Sequence, residues 1–377
     1  MALVLNQEQS MLRDSARAFL AAQGPVAHLR ALRDSHDARG YSPSLWAQCA
    51  EMGFAGVLVA ESHGGLGLGL TDAAVIAAEL GRTLTPTPFL SSAVLGARML
   101  AGCANAALQD RWLPRIAGGQ AVTALALDEH PQHRPQAMAL QATPDGDGFS
   151  LTGQKCLVLD GHVADLLLVV ARMAGAAASD DGLRVFAVDP GASGVSIERS
   201  PMVDAHNAAR IRFDQVQVSA DALLSPDTPT GLADTLDAGR VCVAAMLQGA
   251  GDEAFARTCA YLKERTQFGQ RIGEFQALQH RAAQLYVELE LSRAAIARAT
   301  EAMDRNAPNA ANLVAVAKAK ACGSAGLAVQ EAVQMHGGIG MTDALELGFF
   351  MKRVRVLQTL LGEAGFHESR LASLSGY

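Results

Sequence analysis

The sequence predicts an α+β chain in which two helical regions flank a middle region of short strands. Three observations carry this expectation. Apolar residues repeat at three-four spacing up to about residue 120 and again from about residue 227. Between these limits the period changes to short apolar or alternating runs closed by turn residues. Alanine, the strongest helix former, dominates the long runs at the C-terminal end. A chain of 377 residues is long enough for two or three packed units.

Residues 1–120 read as an N-terminal helical domain. Asn6-Gln7-Glu8-Gln9 caps a run with Met11, Leu12, Ala16, Phe19 and Leu20 at helical spacing. Ser42 and Ser44 precede a second helix with Leu45, Trp46 and Cys49 on one face. Residues 52–69 join a short buried apolar run to a glycine-rich loop; no GK[ST] follows, so the glycines do not read as a phosphate cradle. Residues 71–80 and 91–101 continue the helical pattern on either side of Pro86-Thr87-Pro88, and Trp112-Leu113-Pro114 is expected to end the domain.

Residues 121–226 read as the middle β domain. Strands are expected at 149–153, 166–171, 183–188 and 195–197, and Ala209-Arg210-Ile211-Arg212-Phe213 alternates, with Val216 and Val218 following in a shifted phase. Such short strands predict a small antiparallel barrel or sandwich. Residues 155–161 form an apolar run closed by a turn, and residues 174–182 a flexible hairpin tip. Residues 227–377 return to helix. Runs at 236–264, 276–305 and 309–336, with a final helix from about Leu345, predict a four-helix bundle. Leu278, Ala282, Leu285, Leu289, Ser292 and Ile296 keep a three-four spacing along its second helix.

Composition excludes several classes. A formal net charge of −7, with no basic run, argues against a nucleic-acid surface. No apolar run reaches the roughly 18 residues that span a membrane, and the N-terminus lacks the basic-then-apolar order of a signal peptide. The six cysteines form no CxxC pair and no metal-ligand spacing, as expected of reduced, mostly buried thiols in a cytoplasmic protein without a metal.

Two stretches stand out from the helical background. In residues 265–279, Arg265 and Arg271 offer forked cations suited to a pyrophosphate. Phe268 lies between them, Gly269 and Gly273 permit turns or close approach, and Gln276 and Gln279 open the next helix three apart. Alone, the stretch is equally an ordinary loop between helices with solvated charges. The second stretch is Gln334-Met335-His336-Gly337-Gly338-Ile339-Gly340-Met341-Thr342, whose glycines alone would also suit a plain helix C-cap.

Together, RTQFGxxIxxFQxxQ and, about 60 residues on, QxHGGxGMT resemble the acyl-CoA dehydrogenase family. The resemblance covers nearly the whole chain and is most specific at these two motifs. It implies a helix–β–helix fold and FAD as cofactor. The ADP half of FAD would be held by Arg265, Gln267, Phe268, Gln276, Gln334, Gly337 and Gly338, the first segment reaching into a neighbouring subunit's site. Arg240 matches the family's CoA- or acyl-side arginine, though a lone helical arginine is more often a surface charge. The implied reaction is α,β-dehydrogenation of an acyl-CoA: a carboxylate takes the α-proton and the β-hydrogen leaves as hydride to flavin N5. Implied partners are an electron-transfer flavoprotein or similar acceptor and further subunits, as a homodimer, a tetramer or a heterotetramer with a homologue, joined through the C-terminal bundles.

The sequence also departs from the family. The usual base follows QxHGG in a Tyr-Glu-Gly segment, which here is Leu360-Leu361-Gly362, so Leu361 stands at the base position. Some members place their base one residue before the arginine matched by Arg240; that position is Gly239. Leu361 keeps a backbone N–H for the thioester oxygen but cannot take a proton. Of the nearby carboxylates, Glu363 is the expected catalytic base if the chain acts alone, a solvated helix-end carboxylate being its plain alternative. Asp237, three residues before Arg240, is the next candidate base but is expected rather as a helix N-cap, and His336 and His367 as packing or capping residues. In the middle domain, Leu127-Asp128-Glu129-His130-Pro131 and Lys155-Cys156-Leu157-Val158-Leu159 lack the aromatic and hydroxyl that usually touch the flavin. The C-terminal segment resembles a subgroup that includes the small subunit of pimeloyl-CoA dehydrogenase and paired steroid side-chain dehydrogenases. Three readings follow: a dehydrogenase with a displaced base, a partner subunit of a catalytic homologue, or a flavin oxidase or monooxygenase on the same fold.

Overall fold

The computed structural model describes residues 5–175, 182–225 and 230–377. Two expectations fall wholly or partly outside them: the character of residues 1–4 and the hairpin tip at 174–182. In chain order the elements are α1 (Gln7–Gln23), α2 (Val26–Asp34), α3 (Pro43–Glu51), α4 (Leu70–Thr83), a π-helical segment (Phe89–Gly96), α5 (Ala97–Ala101) and α6 (Ala106–Ala117). Then come β1 (Thr123–Ala126), β2 (Gln141–Asp145), β3 (Gly148–Leu159), β4 (Leu166–Met173), β5 (Leu183–Val188), β6 (Val195–Pro201) and β7 (Asn207–Ser219). The C-terminal part holds α7 (Thr230–Glu264), the hairpin β8 (Thr266–Gln267) and β9 (Gln270–Arg271), α8 (Gln276–Asp304), α9 (Ala310–His336), α10 (Leu347–Thr359) and α11 (Ala364–Leu374). Helices, a β half-barrel and helices again is the expected order. The chain forms two compact units, Met1–Ala31 with Leu70–Thr85 and Arg240–Tyr377, and Leu32–Gly69 with Pro86–Gly239.

In the first unit, α1 starts with a full capping box: Asn6 Oδ1 accepts from Gln9 N at 2.8 Å and Gln9 Oε1 from Asn6 N at 3.1 Å. α4 is capped from far along the chain. The Asp304 carboxylate, ending α8, accepts Leu70 N at 2.6 Å, Thr71 N at 3.0 Å and Thr71 Oγ1 at 2.7 Å. α4 and α7 approach so closely that only hydrogen fits at two positions. A Cβ on Gly81 would lie 2.2 Å from Met246 O, and one on Gly249 would lie 1.8 Å from Ala78 O. Leu285 and Leu289 of α8 pack on Ala328 of α9, with Phe255 and Leu327 beside them. The final helix expected from Leu345 is two helices, broken at residues 360–363.

The second unit is built on a 7-stranded sheet, ordered β1-β4-β2-β3-β7-β6 with β5 on the other side of β4. Its core is Leu151, Leu167, Val169, Phe186, Ile211, Phe213 and their buried neighbours. The expected all-antiparallel arrangement is corrected here: β1 and β2 both run parallel to β4. Neither strand advertises itself. β1 is buried on both faces, so it cannot alternate, and β2 is mostly exposed and polar. The shifted phase after Phe213 is real: β7 is one strand whose register against β3 slips between Leu151 and Gly153, with Gln215 at φ 52°. Pro114 does not end its helix, because α6 carries it internally and stops at Gly118. Asp237 is no N-cap. α7 begins at Thr230, so Asp237 lies inside the helix and is buried.

Gly249→Ala should lower unfolding stability by about 1–3 kcal/mol despite alanine's better helix propensity, because the methyl group meets a backbone carbonyl that cannot rotate away. Urea unfolding followed by circular dichroism checks this; an unchanged or higher midpoint would mean that α4 and α7 are not in close contact.

Candidate functional site

The first motif folds as a tight hairpin between α7 and α8. Thr266 pairs with Arg271 and Gln267 with Gln270, leaving Phe268 and Gly269 as the two-residue turn. Both have positive φ, 55° and 83°, as an I′-type turn demands. For phenylalanine this costs roughly 1–2 kcal/mol. The ring is 93% exposed, touching only the edge of Phe275 at 6.2 Å between centroids. A strained, bare aromatic at a hairpin tip is unfavourable in an isolated chain. Arg265 and Arg271 are exposed, and among the described residues neither guanidinium has an acidic partner. Gln267 and Gln276 are exposed too, while the Gln279 side chain folds back onto Gly273 O at 2.9 Å.

The second motif ends α9. Gly337 has φ 66° and ψ −145°, a conformation essentially restricted to glycine. At Gly338 a Cβ would meet nothing within 4 Å, so the packing of this chain does not require glycine there. Gln334, Gly337 and Gly338 all face solvent. His336 is anchored behind them: Nδ1 donates to Ala332 O at 2.7 Å and the ring stacks on Tyr261 at 4.3 Å. Burial lowers its pKa. It is a packing residue, as expected. The exposed amides, bare backbone and unpaired guanidiniums are a donor set that suits the phosphates and sugar of a dinucleotide, so these residues fit the ADP half of FAD.

The turn at residues 360–363 carries the expected base position. Leu361 has φ 56°, Gly362 φ 108°, and the Leu361 side chain is buried. Three donors hold this turn. Lys318 of α9, fully buried, reaches Gly362 O at 2.8 Å, Leu357 O at 3.1 Å and Gln358 O at 3.2 Å. Arg240 Nε donates to Leu361 O at 3.3 Å, with its guanidinium 5.6 Å from the Phe366 ring centre. His367 Nε2 donates to the same carbonyl at 3.2 Å. Arg240 is therefore buried, not a surface charge. The Leu361 N–H finds no backbone acceptor among the described residues. Glu363 heads α11 at its N-cap position, exposed, without a side-chain capping bond. The carboxylate expected as the base thus stands in water.

The sequence reading missed Lys318. Its signal was present: a lone lysine on the apolar face of an alanine-rich helix, with no carboxylate three or four residues away. Burial lowers the Lys318 pKa, Cys322 beside it counteracts, and Arg240 lowers it further. In the second unit, Lys155 is likewise fully buried, bonded to Leu127 O at 3.0 Å and Glu129 Oε1 at 2.8 Å, and burial pulls it down to about 8. Glu129 also accepts Ala139 N and Leu140 N, so this corner is a structural cross-link. Leu157, at the family's aromatic position, is 42% exposed with φ 52°.

His367 supplies a pH test of the turn. Burial, then the charges of Lys318, Arg240 and Arg370, push its pKa down to about 2 from 6.5. The unfolded chain therefore binds a proton below about pH 6.5 that the folded chain refuses, and stability must fall as pH drops through that window. Between pH 7 and 5.5 the loss from this group is about 1 kcal/mol. His367→Gln, which keeps a donor for Leu361 O without titrating, should lose correspondingly less stability over that interval in chemical unfolding. Equal losses in both proteins would place a charged or exposed imidazole there.

Comparison with known proteins agrees with this geometry. Family models match in order along the chain: acyl-CoA dehydrogenase N-terminal domain at residues 6–120, middle domain at 124–216 and C-terminal domain at 232–373. The chain is similar to acyl-CoA dehydrogenase IpdE2 of Mycobacterium tuberculosis, 32% identical over 356 residues, covering 94% of this chain and 93% of that one. Among solved structures it is similar to the Tcur3481-Tcur3483 steroid ACAD, with a TM-score of 0.88, 31% identity and 98% of each chain covered. It shares the fold of the ChsE4-ChsE5 complex from Mycobacterium tuberculosis, with a TM-score of 0.90, 24% identity and both chains covered in full. The chain belongs to the acyl-CoA dehydrogenase family, whose members are FAD flavoproteins.

Proposed function

We propose that the chain is one subunit of an FAD-dependent acyl-CoA dehydrogenase in which a homologous subunit supplies the catalytic base. The observation that carries this reading is Leu361: a buried, non-ionisable side chain at the base position, in a turn fixed by three donors, while Glu363, two residues on, is exposed. The two-part name of the Tcur3481-Tcur3483 relative supports a pair of unlike subunits, and its description as a steroid enzyme favours a bulky acyl-CoA. We assign the domains as residues 1–120, 121–226 and 227–377.

Bound FAD would supply the acceptor for the β-hydrogen. The roles of this chain's residues are positional and electrostatic. Arg265, Gln267, Phe268 and Gln276 hold the ADP half in a neighbouring subunit's site, with Phe268 covered by that neighbour. Gln334, Gly337 and Gly338 offer their amide groups and bare backbone to the ADP half of the chain's own site. The Leu361 N–H points its dipole at the thioester oxygen, where negative charge gathers as the α-proton leaves. Arg240 fixes that residue through its carbonyl and marks the acyl-CoA side. Electrons would pass on to an electron-transfer flavoprotein or a similar acceptor.

A second reading rests on Glu363 itself. Its side chain is not tied up as a cap, so closure of a bound complex over the turn would be needed to dry it and turn it inward. Anaerobic reduction by acyl-CoA separates the two. In the paired reading the chain alone leaves its flavin oxidised, co-expression with a homologue carrying glutamate at a usual base position restores bleaching, and Glu363→Gln in the pair changes nothing. If the chain alone bleaches and Glu363→Gln slows this by roughly 10²-fold or more, Glu363 is the base and the paired reading is wrong.

Gly338→Val should lose flavin while keeping the parent circular dichroism spectrum, because the added side chain meets only space that the cofactor needs. Arg265→Ala should weaken flavin binding by roughly 1.5–3 kcal/mol, the range of a charge-assisted hydrogen bond. Normal flavin content in both variants would remove these residues from the cofactor site.

A further inference from the structure

A cavity of about 620 Å³ lies in the first unit among α1, α4, α7 and α8, lined by none of the residues assigned above to FAD or the acyl-CoA. One wall is apolar, made by Ala74 and Val75 of α4, Ala245 of α7, and Ile296 and Ala297 of α8. The rest is polar or charged, with Arg82, Glu301 and Asp304 among its charged residues, and two acids in it lie deeper than the arginines that grip them. Glu79 is only 4% and Asp252 11% exposed at the side chain, whereas Arg17 is 46% and Arg293 50% exposed. Each buried acid is engaged by its arginine, with Arg82 3.4 Å from Glu79 and 3.7 Å from Asp252 and Gln248 donating to Asp252 at 2.8 Å. Arg17 grips Glu79 through Nε at 3.0 Å and Nη2 at 2.7 Å; Arg293 grips Asp252 through Nη2 at 3.0 Å and Glu290 through Nε at 3.3 Å. Both leave Nη1 without a protein acceptor among the described residues. Arg13 also lines the cavity, and among the described residues its ion pair is with its neighbour Asp14.

The cavity therefore presents guanidinium donors, held from behind by buried carboxylates, beside an apolar wall, in a chain whose net charge is −7. We infer that this cavity is a second ligand site, which takes an anionic amphiphile with a carboxylate head and an apolar body of about ten carbons. The fork of a guanidinium matches a carboxylate edge-on. The volume suits a ligand of that size. Carboxylates already engaged by Arg17 and Arg293 keep those heads in place, so little side-chain freedom is lost on binding.

Isothermal titration of the full-length protein tests this, with decanoate as probe and decanol and acetate as controls for chain and head. Decanoate should bind saturably below about 1 mM, and at least tenfold more tightly than either control. Ala297→Phe, which fills the apolar side, should abolish binding. Arg13→Gln, which removes a 38% exposed side chain paired with Asp14 of its own helix, should weaken it severalfold. Thermal unfolding of both variants should match the parent. The inference is overturned if decanoate shows no saturation, if decanol binds equally well, if acetate alone binds equally well, or if both folded variants bind decanoate as the parent does. A failure here leaves the paired-subunit reading untouched, because no residue is shared.

Discussion

The turn at residues 360–363 depends on one buried lysine. Lys318 sits in the middle of α9 with three main-chain carbonyls around its ammonium group, two from the last turn of α10 and one from Gly362. A buried charge without a carboxylate is costly unless dipoles replace its water, and the carbonyl end of a helix supplies them in the favourable direction. The same contacts end α10, force Leu361 and Gly362 into positive φ, and start α11 at Glu363. Arg240 and His367 then bind the Leu361 carbonyl from α7 and α11. Three separate helices thus fix one peptide turn. That rigidity suits a residue whose N–H is presented to a substrate oxygen.

A second feature is incompleteness. Phe268 is placed in a strained conformation with its ring 93% exposed, Gly338 is a glycine that its own packing does not need, and among the described residues Arg265 and Arg271 have no acidic partner. On the proposed reading, each is accounted for by another molecule lying against it. At the Leu361 turn, by contrast, the main-chain carbonyls are engaged by Lys318, Arg240 and His367, and it is Leu361 itself that carries no ionisable group. On the proposed reading, these two features separate cofactor binding, which this chain's residues serve, from proton abstraction, which they do not.

Much of the fold was legible in the sequence because it lies in periodicity. α8 and α9 follow from spacing and length, and Asn6 and Ser42 from cap chemistry. What escaped has physical reasons. The break between α10 and α11 has no proline or charge pattern, since it is set by Lys318 from 40 residues away. The start of α4 is capped by Asp304, which no local window contains. β1 is buried on both faces and β2 is polar, so neither shows strand alternation. Pro114 reads as a helix breaker but is tolerated within α6. In the site, the glycines, glutamines and arginines were legible as motif residues, while the burial of Arg240 and the exposure of Glu363 depend on tertiary placement alone.

The central claim is that this chain binds and orients but does not itself remove the proton. Wash-out of the α-protons of an acyl-CoA in deuterated water, followed by proton NMR, tests it without requiring any redox step. The account predicts no exchange above the buffer rate with the purified chain, with or without FAD, and exchange once a homologue bearing the missing glutamate is paired with it. Exchange catalysed by the chain alone would contradict the account and require a base within it.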